Sequence, residues 1–374
     1  MIRRVRVAIF LPSLTWGGAE RVGINLANAL IQENCSVEVV VATDNALLRC
    51  ELSPEIRVVS LGKRTVAHAI PRLIAYLRGN RPQALISHLS HANLAAIVAR
   101  RLSGIDTRLL VVEHIGSQLR RNNIKSYLIP YMCRYLYRSG VNVVSVSNLV
   151  SRDLEHYLGL KQGTITTIYN PVIGQSLIAK ANMDAGHPWL NDTRIPTLLA
   201  AGRFVRQKDF HTLIRAFAIV RKTRPVRLVV LGDGPLRPDL EALVSRLQLS
   251  EHVSMPGFIE NPFAYMKRAN VFVLSSTEEG LPTVLVEAMA CGSPVVATDC
   301  AGGIREVISA EGIDKLVPVG DHQAMAEMIL DALENPIGQS VSEQWIEKFS
   351  SQTAARAYLS LVEGRRAHGL AHSG

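Results

Sequence analysis

Short β-branched runs alternating with amphipathic segments constrain this chain more than any other feature, because they recur in two series separated by one break. Residues 7–11, 37–42, 56–61, 84–87, 109–112, 143–146 and 165–168 read as strands, with helical patterns between most of them. Such alternation implies a parallel sheet covered by helices. Around Asn170-Pro171 the rhythm stops, and a stretch with Gly174, Gly186, Pro188 and Pro196 marks a linker. The pattern resumes with strands at 197–201, 228–231, 271–274 and 295–298 and helices near 210–221, 238–247 and 282–291. A chain of 374 residues is too long for one ordinary core and suits two domains of roughly 150 to 200 residues each. The expected α/β domains are 1–170 and 195–345. A helix at 321–334 follows, Pro336 and Gly338 interrupt, and the remainder reads as helical from Ser342.

Hydrophobic residues make up 48% of the chain, yet apolar runs such as 94–99 and 271–274 fall far short of the roughly 18 residues that a membrane span needs. Met1-Ile2-Arg3-Arg4-Val5-Arg6 leads straight into a strand pattern without the apolar stretch of a secretory signal, so the expected location is the cytoplasm. Cys35, Cys50, Cys133, Cys291 and Cys300 are odd in number and contain no CxxC pair, which suggests neither a disulfide framework nor a zinc site. The net charge of +9 is uneven: the first 170 residues hold 21 Lys and Arg against 10 Asp and Glu, the rest 20 against 22. A basic half can meet anionic lipid, nucleic acid or an anionic substrate. No helix-turn-helix, RNP or zinc-finger signature accompanies it, so nucleic acid is not expected. Lys63-Arg64, Arg72, Arg78, Arg81 and the segment 120–138, with Tyr127, Tyr131, Tyr135 and Tyr137, instead suggest peripheral attachment to the inner membrane surface.

In open α/β sheets ligands bind outside the carboxyl ends of strands. The loops 12–20, 113–117, 202–209, 232–235 and 275–283 are therefore candidates to line a cleft between two facing domains. The most informative stretch is SSTEEGLPTVLVEAMACGSPVVAT, residues 275–298. A strand ends in a polar loop with Glu279 and Gly280, and Pro282 stands where a first helical residue is favoured. The N–H groups of Leu281, Thr283 and Val284, with the positive end of the helix dipole, then suit a phosphate or a sugar hydroxyl. Glu287 follows on the helix among Val284, Leu285, Val286, Ala288, Met289 and Ala290. Ionised carboxylates only accept hydrogen bonds, which fits the hydroxyls of a ribose or hexose. Taken singly, Glu279 reads as a loop charge and Glu287 as a solvated helix residue; the whole string favours a ligand site.

This string resembles the E-x7-E motif of glycosyltransferase family 4, here EGLPTVLVE. Further segments fit, and the matching motifs run from near residue 10 to near residue 310. Gly17-Gly18-Ala19-Glu20-Arg21 looks like that family's glycine-rich loop, where backbone N–H groups approach the donor diphosphate. Gly202-Arg203-Phe204-Val205-Arg206-Gln207-Lys208 resembles its G-R-x5-K motif, making Arg203 and Lys208 the cations expected to hold the diphosphate. Glu113-His114 ends a strand where the family places a histidine near the transferred sugar. Gly257-Phe258-Ile259 is similar to the segment that contacts the nucleotide base, with Phe258 alternatively a core residue; Gly232-Asp233-Gly234-Pro235 reads mainly as a tight turn.

The resemblance implies a GT-B fold, two facing Rossmann-like domains with an interdomain cleft, and a last helix, about 350–364, that crosses back onto the first domain. It implies retaining transfer of a hexose or N-acetylhexosamine from a UDP- or GDP-sugar, without a cofactor or metal, onto a lipid-linked oligosaccharide in surface polysaccharide assembly. His114, Arg203, Lys208 and Glu279 are the expected catalytic residues. Gly17, Gly18, Phe258, Gly280, Leu281, Pro282, Thr283, Val284 and Glu287 are expected to complete the donor site. No Asp-x-Asp motif suggests a metal bridging the phosphates. A non-hydrolysing sugar-nucleotide epimerase would share the fold, and a non-catalytic sugar-nucleotide or membrane binder would share the surface. A dinucleotide-dependent dehydrogenase is disfavoured because Gly232-Asp233-Gly234 has Arg237 where a third glycine belongs.

Overall fold

A computed structural model describes residues 4–15, 17–43, 45, 48–114, 132, 135–137, 141–308, 315–335 and 341–364. They form two compact units. One comprises the described residues up to Gly174 and those from Lys348 onward, the other Gln175–Glu347.

The first unit is built on strands β1 (Arg6–Leu11), β2 (Ser36–Val41), β3 (Arg57–Ser60), β4 (Ala84–His88), β5 (Arg108–Glu113), β6 (Asn142–Ser145) and β7 (Thr166–Thr167). They lie in the order β3-β2-β1-β4-β5-β6-β7, every pairing parallel. Helices over both faces bury these strands, so the central ones are apolar almost throughout. Phe10, Leu85 and Val111 pack on one face against Leu73, Leu77 and Ile97. The chain returns to this unit at its end, where helix Ser351–Val362 packs on helix Gly18–Gln32. Arg356 donates to Glu33 and Gln352 to Gln32, and the Val172 and Ile173 N–H groups both bond the Phe349 carbonyl.

The second unit repeats the plan with β8 (Thr197–Ala201), β9 (Arg227–Leu231), β10 (Val253–Gly257), β11 (Val271–Leu274), β13 (Val295–Thr298) and β15 (Leu316–Val317), ordered β10-β9-β8-β11-β13-β15 and again parallel. Phe204, Phe210, Phe217, Leu228, Val273 and Ile329 belong to its core. In both sheets the winding reverses beside the first strand of the unit, between β1 and β4 and between β8 and β11. A doubly wound sheet opens a ligand crevice at such a point, outside the strands' carboxyl ends.

The edge strands β10 and β15 were not expected, and two further details depart from the expectations. Between β11 and β13, a two-residue strand β12 (Glu278–Glu279) pairs with β14 (Ala301–Gly302), which no apolar run announces. Pro282 is the cap rather than the first residue of its helix, which spans Thr283–Ala290, with Pro282 at ψ 87°. Most of segment 120–138, including Tyr127 and Tyr131, lies outside the described residues. Tyr135 is exposed, whereas Tyr137 is buried.

Candidate functional site

Three strand-end loops of the second unit are stitched together at its switch point. The loop after β8 carries Arg203 and Lys208, that after β9 carries Gly232 and Gly234, and that after β11 carries Ser275, Ser276 and Glu279. Gly232 sits at φ +126°, and a Cβ there would overlap the Gly202 carbonyl, so only glycine lets the first two loops come this close. The Phe204 N–H donates to the Asp233 carbonyl at 2.9 Å, and the Gly232 N–H to the Gly257 carbonyl at 2.8 Å, tying in the end of β10. The turn 232–235 thus braces the loop that bears Arg203.

Gln207 joins that loop to the one after β11. Its Nε2 donates to the Glu278 carbonyl at 2.9 Å, while its own carbonyl accepts from the Thr277 N–H at 2.8 Å. Ser275 Oγ donates to the Lys208 carbonyl at 2.8 Å. Held this way, Lys208 Nζ lies 2.5 Å from Glu279 Oε1, which also accepts from Ser276 Oγ at 2.7 Å. The side chains of this ion pair keep only 18% and 9% of their surface. Gly302 packs on the backbone of Glu279: at φ +120°, it leaves no room for a Cβ against the Glu279 carbonyl, and the Gly303 N–H donates to the Gly280 carbonyl at 2.9 Å.

Arg203 and Lys208 differ in setting. Lys208 is half-buried and neutralised by Glu279, whereas Arg203 is exposed and its guanidinium has no hydrogen-bond or ion-pair partner among the described residues. Helix Thr283–Ala290 begins beside Glu279, and Leu285 is the first residue whose N–H returns to the Pro282 carbonyl, so the N–H groups of Thr283 and Val284 precede its ladder. Leu281 is buried. Glu287 is only 3% exposed, which rules out a solvated helix residue. Its negative charge helps burial to push the Cys291 thiol up to about 12. Phe258 is 41% exposed and so is not a core residue.

In the first unit the switch point falls between the Gly17-Gly18 loop after β1 and His88 at the end of β4. Gly17 caps helix Gly18–Gln32, where Gly18 faces open space but the Glu20 carboxylate folds onto Gly17. An anion approaching this helix start meets that like charge unless Glu20 swings away. On the adjacent strand, Glu113 is buried and accepts from Ser90 Oγ at 2.7 Å, from Asn93 Nδ2 at 2.9 Å and from the Tyr137 hydroxyl. Burial pushes its carboxyl upward against those three donors. His114 follows, half-buried, with Nε2 3.0 Å from His88 Nδ1. Loss of solvation lowers the His114 ring to about 4 and holds His88 well below the ordinary histidine value.

Sequence reasoning missed His88, Gln207, Ser276 and Gly302. Only Ser87-His88 carried any signal, as polar residues ending an apolar strand. Of the basic residues named for a membrane surface, Arg64, Arg72, Arg78 and Arg81 are exposed. Arg72 and Arg78 nonetheless also donate to backbone carbonyls, of Leu61 and of Ser103 and Leu102.

The chain matches two family models, described as Glycosyltransferase Family 4 over residues 16–173 and as Glycosyl transferases group 1 over residues 188–351. It is 31% identical over 249 residues to the N-acetylgalactosamine-N,N'-diacetylbacillosaminyl-diphospho-undecaprenol 4-alpha-N-acetylgalactosaminyltransferase of Campylobacter jejuni, a match covering 66% of each chain. The aligned part thus spans just under two thirds of that relative. A second Campylobacter jejuni protein, GalNAc-alpha-(1->4)-GalNAc-alpha-(1->3)-diNAcBac-PP-undecaprenol alpha-1,4-N-acetyl-D-galactosaminyltransferase, is 25% identical over 343 residues, covering 87% of this chain and 88% of the relative. The solved structure of Anabaena HepE in complex with UDP superposes with a TM-score of 0.76 at 20% identity, covering 96% of this chain and all of that one. With both halves matched by the models, and with two parallel, doubly wound units, the chain belongs to the family 4 glycosyltransferases of GT-B fold.

Proposed function

We propose that this protein transfers a hexosyl or N-acetylhexosaminyl group from a nucleotide diphosphate sugar, with retention and without a metal, onto a lipid-linked oligosaccharide at the inner membrane surface. The observation that carries this reading is the cluster at the switch point of the second unit. There the loop bearing an exposed arginine, a lysine–glutamate pair and the start of the helix that carries a buried glutamate are held by Gln207, Gly232 and Gly302. Cleaving a sugar–phosphate bond places extra negative charge on the departing oxygen, and cations fixed beside it lower the barrier most. Arg203 is available for that charge at once. Lys208 becomes available when the sugar hydroxyls take over Glu279, so donor binding exchanges one ion pair for another. Glu287 accepts from the ribose hydroxyls, the Leu281–Val284 backbone offers further N–H donors, and Phe258 is exposed enough to stack on a base.

Retention follows from front-face attack, in which the acceptor enters on the side the diphosphate leaves and gives its proton to a phosphate oxygen. A double displacement would need a carboxylate nucleophile at the sugar, and in this reading Glu279 is engaged by the sugar hydroxyls instead. His114 positions the transferred sugar. UDP is the nucleotide of choice because the solved relative HepE holds UDP, and the Campylobacter jejuni relatives are named for N-acetylgalactosaminyl transfer to undecaprenyl diphosphate-linked saccharides. The positive balance of the first 170 residues supports contact with an anionic leaflet.

A thermal-shift screen with UDP-, GDP- and ADP-sugars tests the donor, since a ligand at 100 times its Kd stabilises the folded state by about 2.7 kcal/mol. A UDP-N-acetylhexosamine should raise Tm most. No shift with any nucleotide sugar would overturn the reading.

A further inference from the structure

His88 has no part in the function proposed above, yet its surroundings are unusual. It ends β4 in register with Val112, one strand from His114, and its ring is fully enclosed. The residue after it, Leu89, has φ +77° and ψ 134°, a left-handed backbone that a leucine adopts only under constraint. That strained turn holds two contacts at once: His88 Nδ1 lies 3.0 Å from His114 Nε2, and Ser90 Oγ donates to Glu113 Oε2 at 2.7 Å. Strain retained at such a place marks a geometry that the surroundings over-determine. His88 Nε2 is buried without a hydrogen-bond partner among the described residues.

These facts favour one of the two tautomer arrangements. Between two neutral imidazoles one ring nitrogen donates and the other accepts, and each choice dictates what the far nitrogens carry. If His114 Nε2–H donated to His88, the His88 proton would sit on Nε2, a stranded ring N–H inside the core. If His88 Nδ1–H donates, Nε2 is a bare acceptor, the kind of unsatisfied group that folded proteins tolerate more readily than an orphaned N–H. We propose that His88 is the positioning residue for His114: it donates from Nδ1 to His114 Nε2, so that His114 carries its proton on Nδ1 and offers a ring N–H to a hydroxyl oxygen of the transferred sugar. His114 is half-buried, and its Nδ1 has no partner among the described residues, which leaves that N–H free to be used. Burial keeps both rings neutral, so the pair is not a charged clamp. His114 then acts as a hydrogen-bond donor that orients the sugar, not as a base.

The proposal rests on the sugar-positioning role given to His114, and the test separates the two. Ring 15N shifts of histidine-labelled protein, with His114 assigned through the spectrum of His114→Gln, report the tautomers directly. The expected result is His114 protonated on Nδ1 and bare on Nε2, with the reverse arrangement overturning the proposal whatever the protein transfers. In activity, His88→Leu should lower kcat about tenfold or more while changing the donor KM less than about threefold. His88→Asn places an amide N–H near the position of Nδ1 and should restore kcat to within about threefold of the wild type. Equal loss in both variants, at unchanged Tm, would also overturn it. A wild-type protein that transfers no sugar would defeat the proposed function while the tautomer measurement still decides the role of His88.

Discussion

Neutralising Lys208 should destabilise the second unit before it affects any chemistry. At 2.5 Å and an effective dielectric of about 20, the Lys208–Glu279 attraction is about 7 kcal/mol before desolvation. With 18% and 9% of the side-chain surfaces left, loss of solvation cancels much of that attraction. Deleting one partner of a fully buried pair costs about 3–5 kcal/mol, chiefly because the other charge is stranded. Residual solvent access brings the expected cost of Lys208→Met, and of Glu279→Gln, to about 2–3 kcal/mol. The double variant strands no charge and should recover most of the loss, costing about 1 kcal/mol, which is a coupling of about 3–5 kcal/mol between the two sites. For a unit of this size, that is a fall in Tm of about 5–10 °C for each single variant. Two of the three tryptophans, Trp189 and Trp345, belong to the second unit, so tryptophan fluorescence during urea or thermal unfolding, in a Trp16→Phe background, follows the transition that should move. Single variants as stable as the wild type, or strictly additive losses in the double variant, would refute the reasoning.

Four further outcomes are expected. Arg203→Ala touches an exposed side chain without described partners, so it should leave Tm unchanged while lowering turnover about 100-fold, the scale of losing a preorganised charge partner; a turnover within tenfold of the wild type would remove Arg203 from the leaving-group site. Glu287→Ala should weaken donor and free nucleotide diphosphate alike, by about 1.5–3 kcal/mol in calorimetric titration, and equal affinities would exclude Glu287 from ribose binding. Gly302→Ala, which drives a Cβ into the Glu279 carbonyl, should cost about 3 kcal/mol or more in unfolding experiments; a neutral result would contradict the close approach of β12 and β14. His88 and His114 resist protonation when folded. The unfolded chain therefore binds more protons below about pH 6.5, and stability should fall from there towards pH 4 by up to about 1.4 kcal/mol per pH unit for each ring. Glu113 is raised by burial and acts with the opposite sign, but it is present in both proteins when the wild type is compared with His88→Leu. That variant should show the shallower slope, and parallel stability curves would contradict the assignment.

The central strands were legible because helices bury both their faces, so Val271-Phe272-Val273-Leu274 could be read as a strand without alternation. Strand β10 was not: it lies at the sheet edge, contains Pro256 and is only partly buried, so its apolar signal is broken. The two-residue strands β12 and β14 exist only because Gly302 permits a backbone contact across the unit. In the site, the spacing of Arg203, Lys208, Glu279 and Glu287 was visible along the chain, but the direct pairing of Lys208 with Glu279 was not. Those residues lie 71 positions apart and meet only because β8 and β11 are neighbours. Gln207 and Ser276 read as ordinary polar loop residues until that adjacency gives them partners. His88 stayed hidden for the same reason, since its significance depends on the register of β4 against β5. Glu287 shows the opposite case: its apolar helix already argued against a solvated charge, and burial agrees.

The most direct test follows the anomeric carbon of a 13C-labelled UDP-N-acetylhexosamine by NMR, in EDTA, with and without undecaprenyl diphosphate-linked saccharides. The account predicts UDP release only when acceptor is present, with a new glycosidic signal of the donor's own anomeric configuration. A donor that epimerises without acceptor, an inverted linkage, or transfer that stops in EDTA and returns with magnesium or manganese would contradict it.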